Sequence, residues 1–556
     1  MMLHRFLLAL FTGLGLVAFR GLPNESIPVF YRPQPHFAIT SNLGPDQPNI
    51  IWLSCEDMSP HLGCYGDSTI PTPNIDRLAR EGVRFTNAYT TAGVCAPSRN
   101  AIITGMYQTA TGGHNMRTIG NTFPEQTGLP KEYSVVMPSY VKAFPEFLRA
   151  TGYYCTNNAK TDYQFEAPPT VWDEVGNKAT YQKRANGQPF FAVFNNVITH
   201  ESQVWVRKDL PLRADPDRIK VPPYYPDTKT VRNDMARFFS NIREMDDWVG
   251  KMIAQLEEEG LLEKTIIFFW SDHGDGLPFV KREILHRGLH VPLIVRFPDK
   301  RLAGTTRNDL VSMIDLAPTV LSLAGIKPPE YMHGQPFFGK HTASKPRGYV
   351  FAARDRMDEA YERVRTVHDG QYQYVRNYFP EKPHYQNITF RKQQPMMVEM
   401  LRLHGEGKLS PVQSQWFKPT KATEEFYDLK ADPFELKNLA SDPNYSAQFK
   451  RLKQAFEKWQ KTVPDLGATP EKELIQTWWK GQNTPPVTAD PVVSRLANKL
   501  KIECPTEGAS IGYRLLGKGK NWNVYTVPLE TSPGQTVEVI AQRIGYGASQ
   551  ITTYKM

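Results

Sequence analysis

Cys95-Ala96-Pro97-Ser98-Arg99 sets a thiol, a hydroxyl and a guanidinium side by side, and it runs directly into the apolar stretch Asn100-Ala101-Ile102-Ile103-Thr104-Gly105. Pro97 fixes φ and suits the first turn of a helix, so the spacing predicts a helix opening here with Cys95 at its N-terminal end. The orphan N–H groups and positive dipole end at such a point attract an anion. A free cysteine is otherwise a small buried hydrophobe, so the reactive reading depends on the company it keeps. That company is present. Glu56 and Asp57 follow the strand-like run Asn49-Ile50-Ile51-Trp52-Leu53-Ser54-Cys55, and Asp272 and His273 follow Thr265-Ile266-Ile267-Phe268-Phe269-Trp270-Ser271. Metal-assisted hydrolysis needs hard oxygen ligands converging from separate strand ends. Asp57 and Asp272 provide them, with Glu56 and His273 alongside.

Residues of this kind need a scaffold that brings strand ends together. From Pro48 the pattern alternates strands and helices, which predicts an α/β sheet with helices on both faces. Strands are expected at Asn49 to Leu53, Phe190 to Phe194, Thr265 to Trp270 and Val291 to Phe297. Thr72-Pro73 opens a helix that buries Ile75, Leu78 and Ala79 and closes at Gly82. Phe238, Ile242, Met245, Val249, Ile253 and Leu256 recur at helical spacing within a long helix, Asp234 to Glu259. In open α/β sheets ligands gather at the carboxyl ends of strands, which is where both acidic pairs lie.

The chain has 556 residues, more than one ordinary core holds, and two or three domains are expected. With 22% charged and 40% hydrophobic residues it reads as globular, and 66 basic against 57 acidic side chains give +9. That modest excess suits a polyanionic substrate. No recognition helix, finger or RNA-binding signature accompanies it, so no nucleic-acid partner is expected. His4 and Arg5 precede the apolar run Phe6 to Phe19, of signal-peptide length, which predicts export to the periplasm or medium. No small-x-small cleavage site follows, so an uncleaved membrane anchor stays open. Five cysteines (55, 64, 95, 155 and 504) leave an odd one, and the sequence assigns no bridge.

The Cys-x-Pro-Ser-Arg segment and the acid-ended strand before it resemble the type I sulfatase family of the alkaline-phosphatase-like superfamily. Glu425-Phe426-Tyr427-Asp428-Leu429, with Asp432-Pro433 and Asn438-Leu439, resembles the signature of that family's small C-terminal subdomain. The likeness covers roughly residues 47 to 467. It implies an α/β fold: an alkaline-phosphatase-like core with a central, mostly parallel sheet flanked by helices over 47–345, and a smaller C-terminal α+β subdomain over 346–480. Around these lie the N-terminal segment 1–20, a Pro-rich linker 21–46 and a small terminal β-sandwich over 487–556, either a cap or a binding module.

The resemblance also implies a chemistry. Cys95 would be oxidised by a maturase to Cα-formylglycine, whose hydrate attacks sulfur, with one calcium ion held by Glu56, Asp57, Asp272, His273 and residue 95 itself. Glu56 departs from the commoner aspartate. Arg99 would orient the hydrate, and Lys160 and Lys281, the latter eleven residues before Pro292, would bind sulfate oxygens. His200 falls where the family carries its leaving-group acid. Asp162 takes the place of the family's histidine, so either Asp162 is the base that releases sulfate or another residue is. His114, Asn115 and Arg117 either face substrate or form a polar surface loop, and Tyr224, Tyr225, Trp205 and Trp416 read as exposed aromatics able to stack on sugars. The implied substrate is a sulfated carbohydrate, and the segments Ser54 to Asp57 and Lys160 to Asp162 resemble the branch that includes heparan N-sulfatases. A phosphomonoesterase or phosphonate hydrolase on the same core, and a non-catalytic glycan-binding protein, are the alternatives.

Overall fold

The computed structural model describes residues 47–556; the apolar segment 1–20 and the linker 21–46 lie outside the described residues. At the centre is a sheet of eight strands: β1 (Asn49–Cys55), β2 (Val83–Tyr89), β3 (Tyr154–Asn158), β4 (Glu174–Val175), β5 (Phe190–Asn196), β6 (Thr265–Ser271), β7 (Leu293–Arg296) and β8 (Thr305–Ser312). Their order is β4-β3-β5-β1-β6-β7-β2-β8, and every strand but β7 runs the same way. β1 is buried at all its positions. Its side chains alternate between two apolar layers, Ile50 and Trp52 to one side, Ile51, Leu53 and Cys55 to the other. A near-continuous apolar strand is what a parallel sheet covered on both faces requires.

One face is covered by the helices Pro73–Glu81 and Lys229–Glu258, the other by Cys95–Thr104 and Leu316–Leu323. The long helix begins five residues before its expected start, because Thr228 caps it by accepting from Val231 N and Val231 and Met235 extend the buried stripe. Strand β7 is shorter than expected and antiparallel to both neighbours. That reversal matters for the site. An antiparallel neighbour can be entered from the same edge, so the whole excursion between Ser271 and Leu293 starts and ends at the carboxyl edge of β6.

A second, antiparallel sheet, β9 (Val350–Arg354), β10 (Val364–His368), β11 (Tyr372–Asn377) and β12 (Glu424–Asp428), packs beneath the helix Ser446–Thr462, with Leu452, Phe456 and Trp459 meeting Val367, Tyr374 and Phe426. The last residues form two small antiparallel sheets around Leu500, Ile502, Val537 and Val539. They are tied to the central unit by Lys142, whose Nζ donates to Gly508 O (2.7 Å) and Ser510 Oγ (2.9 Å). All five cysteines are unbridged. Among the described residues no helix is long and apolar enough to cross a membrane.

Candidate active site

Five strands end on one patch. Glu56 and Asp57 follow β1, Asp272 and His273 follow β6, Lys160 and Asp162 follow β3, His200 follows β5, and Cys95 follows β2 after a short turn. Lateral pairing sets the alignment, with Cys55 of β1 opposite both Asn196 of β5 and Ser271 of β6. Every residue of the helix Cys95–Thr104 is buried, and its N-cap, Val94, offers no side-chain acceptor to the first-turn N–H groups. That leaves them for an anion. Gly93, just before, has Glu283 O 2.0 Å from where a Cβ would stand, so only glycine lets the Lys281 segment close over the cysteine turn.

Cys95 Sγ lies 3.2 Å from His273 Nε2, 3.6 Å from Lys281 Nζ and 3.7 Å from Asp57 Oδ1. Burial alone would raise the thiol pKa, but Lys160 and Lys281 outweigh it and bring it down to about 7. Arg99 threads beneath. Its Nε donates to Asp272 Oδ2 (2.9 Å), one terminal nitrogen to Asn195 Oδ1 (2.8 Å) and the other to Glu56 Oε1 (3.3 Å). Glu56 also takes Lys160 Nζ at 2.5 Å, and Lys160 reaches Asp162 at 3.0 Å. Lys281 Nζ sits 2.5 Å from Asp57 Oδ2 and 3.1 Å from Glu201 Oε1. Against a burial effect that would raise it, Lys281 and then His200 and His273 hold the Asp57 carboxyl well below the usual range. Burial and Lys281 disfavour the charged form of His200, yet Asp57, Cys95 and Glu56 leave its pKa raised overall, which suits a proton donor.

The donor set fits a hard divalent cation. The ligand atoms of Asp57, Cys95 and His273 lie within 4.8 Å of one another, as do those of Glu56, Cys95 and Asp272, and those of Glu56, Asp57 and His200. Across these groups the carboxylates of Glu56, Asp57 and Asp272 outnumber the imidazoles of His273 and His200, which is oxygen-rich enough for calcium and poor in the histidines a zinc pair would need. His273 Nδ1 donates to Gly274 O (2.8 Å), which points Nε2 at the cluster. Burial would lower the His273 pKa, but Asp272 and Asp57 drive it well above the ordinary value, a pull on protons that a cation would share. Asp57 adopts a left-handed φ of 52°, as do Asp162 (51°) and Arg282 (74°), conformations that non-glycine residues hold only when their surroundings fix them.

The residues singled out in the sequence thus meet in space: Cys95, Arg99, Lys160, Asp162, His200 and Lys281 around the cluster of Glu56, Asp57, Asp272 and His273. Two partners were not foreseen. Asn195, one residue beyond the expected end of its strand, accepts from Arg99 and donates to Lys160 O (2.6 Å), locking the cation to the lysine turn. Glu201 takes Arg282 in a two-pronged contact (2.8 and 3.0 Å), and its N–H donates to Asp57 Oδ2 (2.7 Å). Strand length for Asn195, and an acid beside His200 for Glu201, were the available signals. Three expected exposed aromatics are instead core residues: Tyr224, Tyr225 and Trp416 are buried, Tyr224 and Trp416 against Phe279 and the cations of Arg287 and Arg391, and Tyr225 against Tyr224. Trp205 alone is part-exposed, 5.3 Å from Phe390, whose ring stands 6.3 Å from His200. His114 and Asn115 are buried as well, so their segment is not a surface loop.

A family model described as Sulfatase matches residues 48–326, and one described as N-sulphoglucosamine sulphohydrolase, C-terminal, matches 274–418. An ulvan-active sulfatase of Formosa agariphila is 45% identical over 545 residues, 91% of each chain. The N-sulphoglucosamine sulphohydrolase of Homo sapiens is 24% identical across 74% of this chain and 89% of its own. Among solved structures, one in complex with its substrate D-glucosamine-2-N,6-O-disulfate superposes with a TM-score of 0.53 at 19% identity, covering 77% of this chain and 100% of its own. The phosphonate monoester hydrolase of Agrobacterium radiobacter gives 0.51 at 15% identity, over 75% and 96%. At those identities the two structures share the fold.

Proposed function

The chain belongs to the sulfatase family and is a sulfuric ester hydrolase, and we propose that it is an exported enzyme that cleaves sulfate from a carbohydrate, using a formylglycine made from Cys95 by a maturase and one calcium ion held by Glu56, Asp57, Asp272, His273 and residue 95. The observation that carries this reading is the convergence on Cys95 of two lysines, an arginine-braced carboxylate cluster and a histidine with a raised pKa. The relative that is 45% identical is ulvan-active, which favours a sulfated polysaccharide as substrate. Residues 47–345 are then the catalytic domain, 346–480 its C-terminal subdomain and 487–556 an accessory β module.

When bound, calcium supplies charge and formylglycine an oxygen nucleophile. The chain's own residues do the rest. Arg99 fixes the Asp272 and Glu56 carboxylates, so that neither swings away from the cluster. Lys160 and Lys281 both bring positive charge to bear on residue 95, where the oxygens of a sulfate gain charge as the ester bond breaks. His200 holds the proton that the departing sugar oxygen requires, oriented by its Nδ1 contact with Ser202 Oγ (2.8 Å). Asp162, kept ionised by Lys160 and Arg99 against its burial, would accept a proton when sulfate leaves.

Turnover of para-nitrophenyl sulfate against para-nitrophenyl phosphate tests the reaction class: the sulfate is expected to be strongly preferred, and preference for the phosphate would overturn the reading. His200→Ala tests the acid. Losing a general acid costs on the order of 10²–10⁴ in rate when the leaving group needs it. A sugar alkoxide does and an aryl oxide does not, so the loss is expected on a sugar sulfate and should be far smaller on the aryl ester. Equal losses on both would make His200 a sulfate or metal ligand.

A further inference from the structure

Three segments close the rim beside Cys95. Met116 N donates to Arg356 O (2.8 Å), Asp358 N to Met116 O (2.9 Å) and Arg356 N to Asn115 Oδ1 (3.2 Å), so residues 114–117 and 355–358 are joined side by side. Met116 and Met357 pack with Ile388 against Val94 and Ala96, the two neighbours of Cys95. One end of this ridge reaches the reaction centre: Arg117, with no carboxylate contact of its own among the described residues, helps depress the Asp162 pKa. At the other end lie His114 and Asp355, 2% and 1% exposed. Each carries a polar atom with nothing to bond, Nδ1 of His114 and Oδ2 of Asp355, although each acts on the other's charge. The second Asp355 oxygen is held by Arg365 at 2.9 Å. Tyr361, whose phenol the Asp355 charge reaches, is 41% exposed and meets Phe379 edge-on, ring centroids 5.6 Å apart, with Lys382 Nζ over both rings at 5.5 and 4.5 Å.

Burying an imidazole nitrogen and a carboxylate oxygen without partners is costly, and such atoms in a native fold call for an explanation. Nothing in the proposed chemistry at Cys95 uses them. We propose that His114 and Asp355 form a carbohydrate subsite, in which the imidazole and the carboxylate together take a free hydroxyl of the sugar unit that bears the sulfate. A hydroxyl donates once and accepts twice, so it satisfies an acceptor and a donor at the same time. A sulfate ester reaching Cys95 would bring its ring against this ridge, whose Met116 and Met357 pack on the two neighbours of Cys95. The subsite rests on the sulfated-carbohydrate reading above, and selects which sugar is cleaved without taking part in cleavage.

The test compares sulfated ulvan oligosaccharides with para-nitrophenyl sulfate, which has no sugar hydroxyl to read. His114→Ala and Asp355→Asn are each expected to raise KM for the oligosaccharide about tenfold or more, with a far smaller effect on kcat, because they remove ground-state binding. The loss in kcat/KM on the aryl ester should be at least tenfold smaller than on the oligosaccharide. Asp355 also holds Arg365, so thermal midpoints are measured for both variants, and His114→Ala, which breaks no existing hydrogen bond, is decisive if Asp355→Asn unfolds. Equal losses on both substrates, or an oligosaccharide KM within twofold of wild type in His114→Ala, would overturn the subsite and leave the enzyme a sulfatase. Wild-type protein that cleaves neither substrate would overturn the parent reading, and the subsite with it.

Discussion

Cys95→Ala is expected to abolish hydrolysis of aryl and sugar sulfates alike, with the fold intact. Residue 95 is the point on which Lys160, Lys281, His273 and Asp57 all act, and alanine leaves those charges facing a methyl group. No neighbouring side chain can take over as nucleophile, since Ser98, the nearest hydroxyl in the same turn, is committed to Asp272 O (2.6 Å) and Thr90. The peptide that contains Cys95, purified from a host with the maturase, should show the mass loss of a thiol-to-aldehyde exchange, and protein from a host without it should be inactive. Fully active protein with an unmodified cysteine would end the formylglycine mechanism. A Cys95→Ala variant that still binds sulfated oligosaccharides as tightly as wild type, beside a wild type that turns none over, would mark a non-catalytic glycan binder.

Asp57→Ala and Asp272→Ala carry the second large effect: each should abolish turnover and calcium content together. A hard cation needs several oxygen ligands, and each substitution removes one of the few charged ones from a buried cluster. The damage spreads beyond the metal. Without Asp57 the ammonium of Lys281 loses its 2.5 Å partner, and without Asp272 the guanidinium of Arg99 loses its 2.9 Å one, so a buried cation is left underpaired in each variant. Glu56→Asp should be milder, because the carboxylate remains and only its reach toward Lys160 and Arg99 shortens. Near-normal activity and calcium in Asp272→Ala would rule the site out.

Much of this was legible in the residues themselves. The strand cores around Ile51 and Ile267, the helix opened by Pro73 and the acids at strand ends are local features. Burial on both faces writes a continuous apolar run, and the change from that run to Glu56-Asp57 or Asp272-His273 marks the edge where a sheet releases its chain toward a ligand. Cys95-Ala96-Pro97-Ser98-Arg99 likewise states its helix and its cargo within one turn.

What the sequence determined by itself was therefore the set of reactive side chains and the kind of element each one ends. Only the tertiary structure decided how they meet. The placing of β1 between β5 and β6, the reversal of β7 that keeps Lys281 above the site, the contact of Lys281 with an aspartate 224 residues away and the pairing of Glu201 with Arg282 all depend on contacts between distant segments. No local propensity encodes them. The fate of the aromatics has the same cause: Tyr224, Trp416 and Trp205 are alike as amphipathic side chains, and only the packing of helices and loops around the sheet sent the first two inside and left the third part-exposed against Phe390. Local chemistry fixes what a residue can do, and the non-local pairing of strands fixes what it does it to.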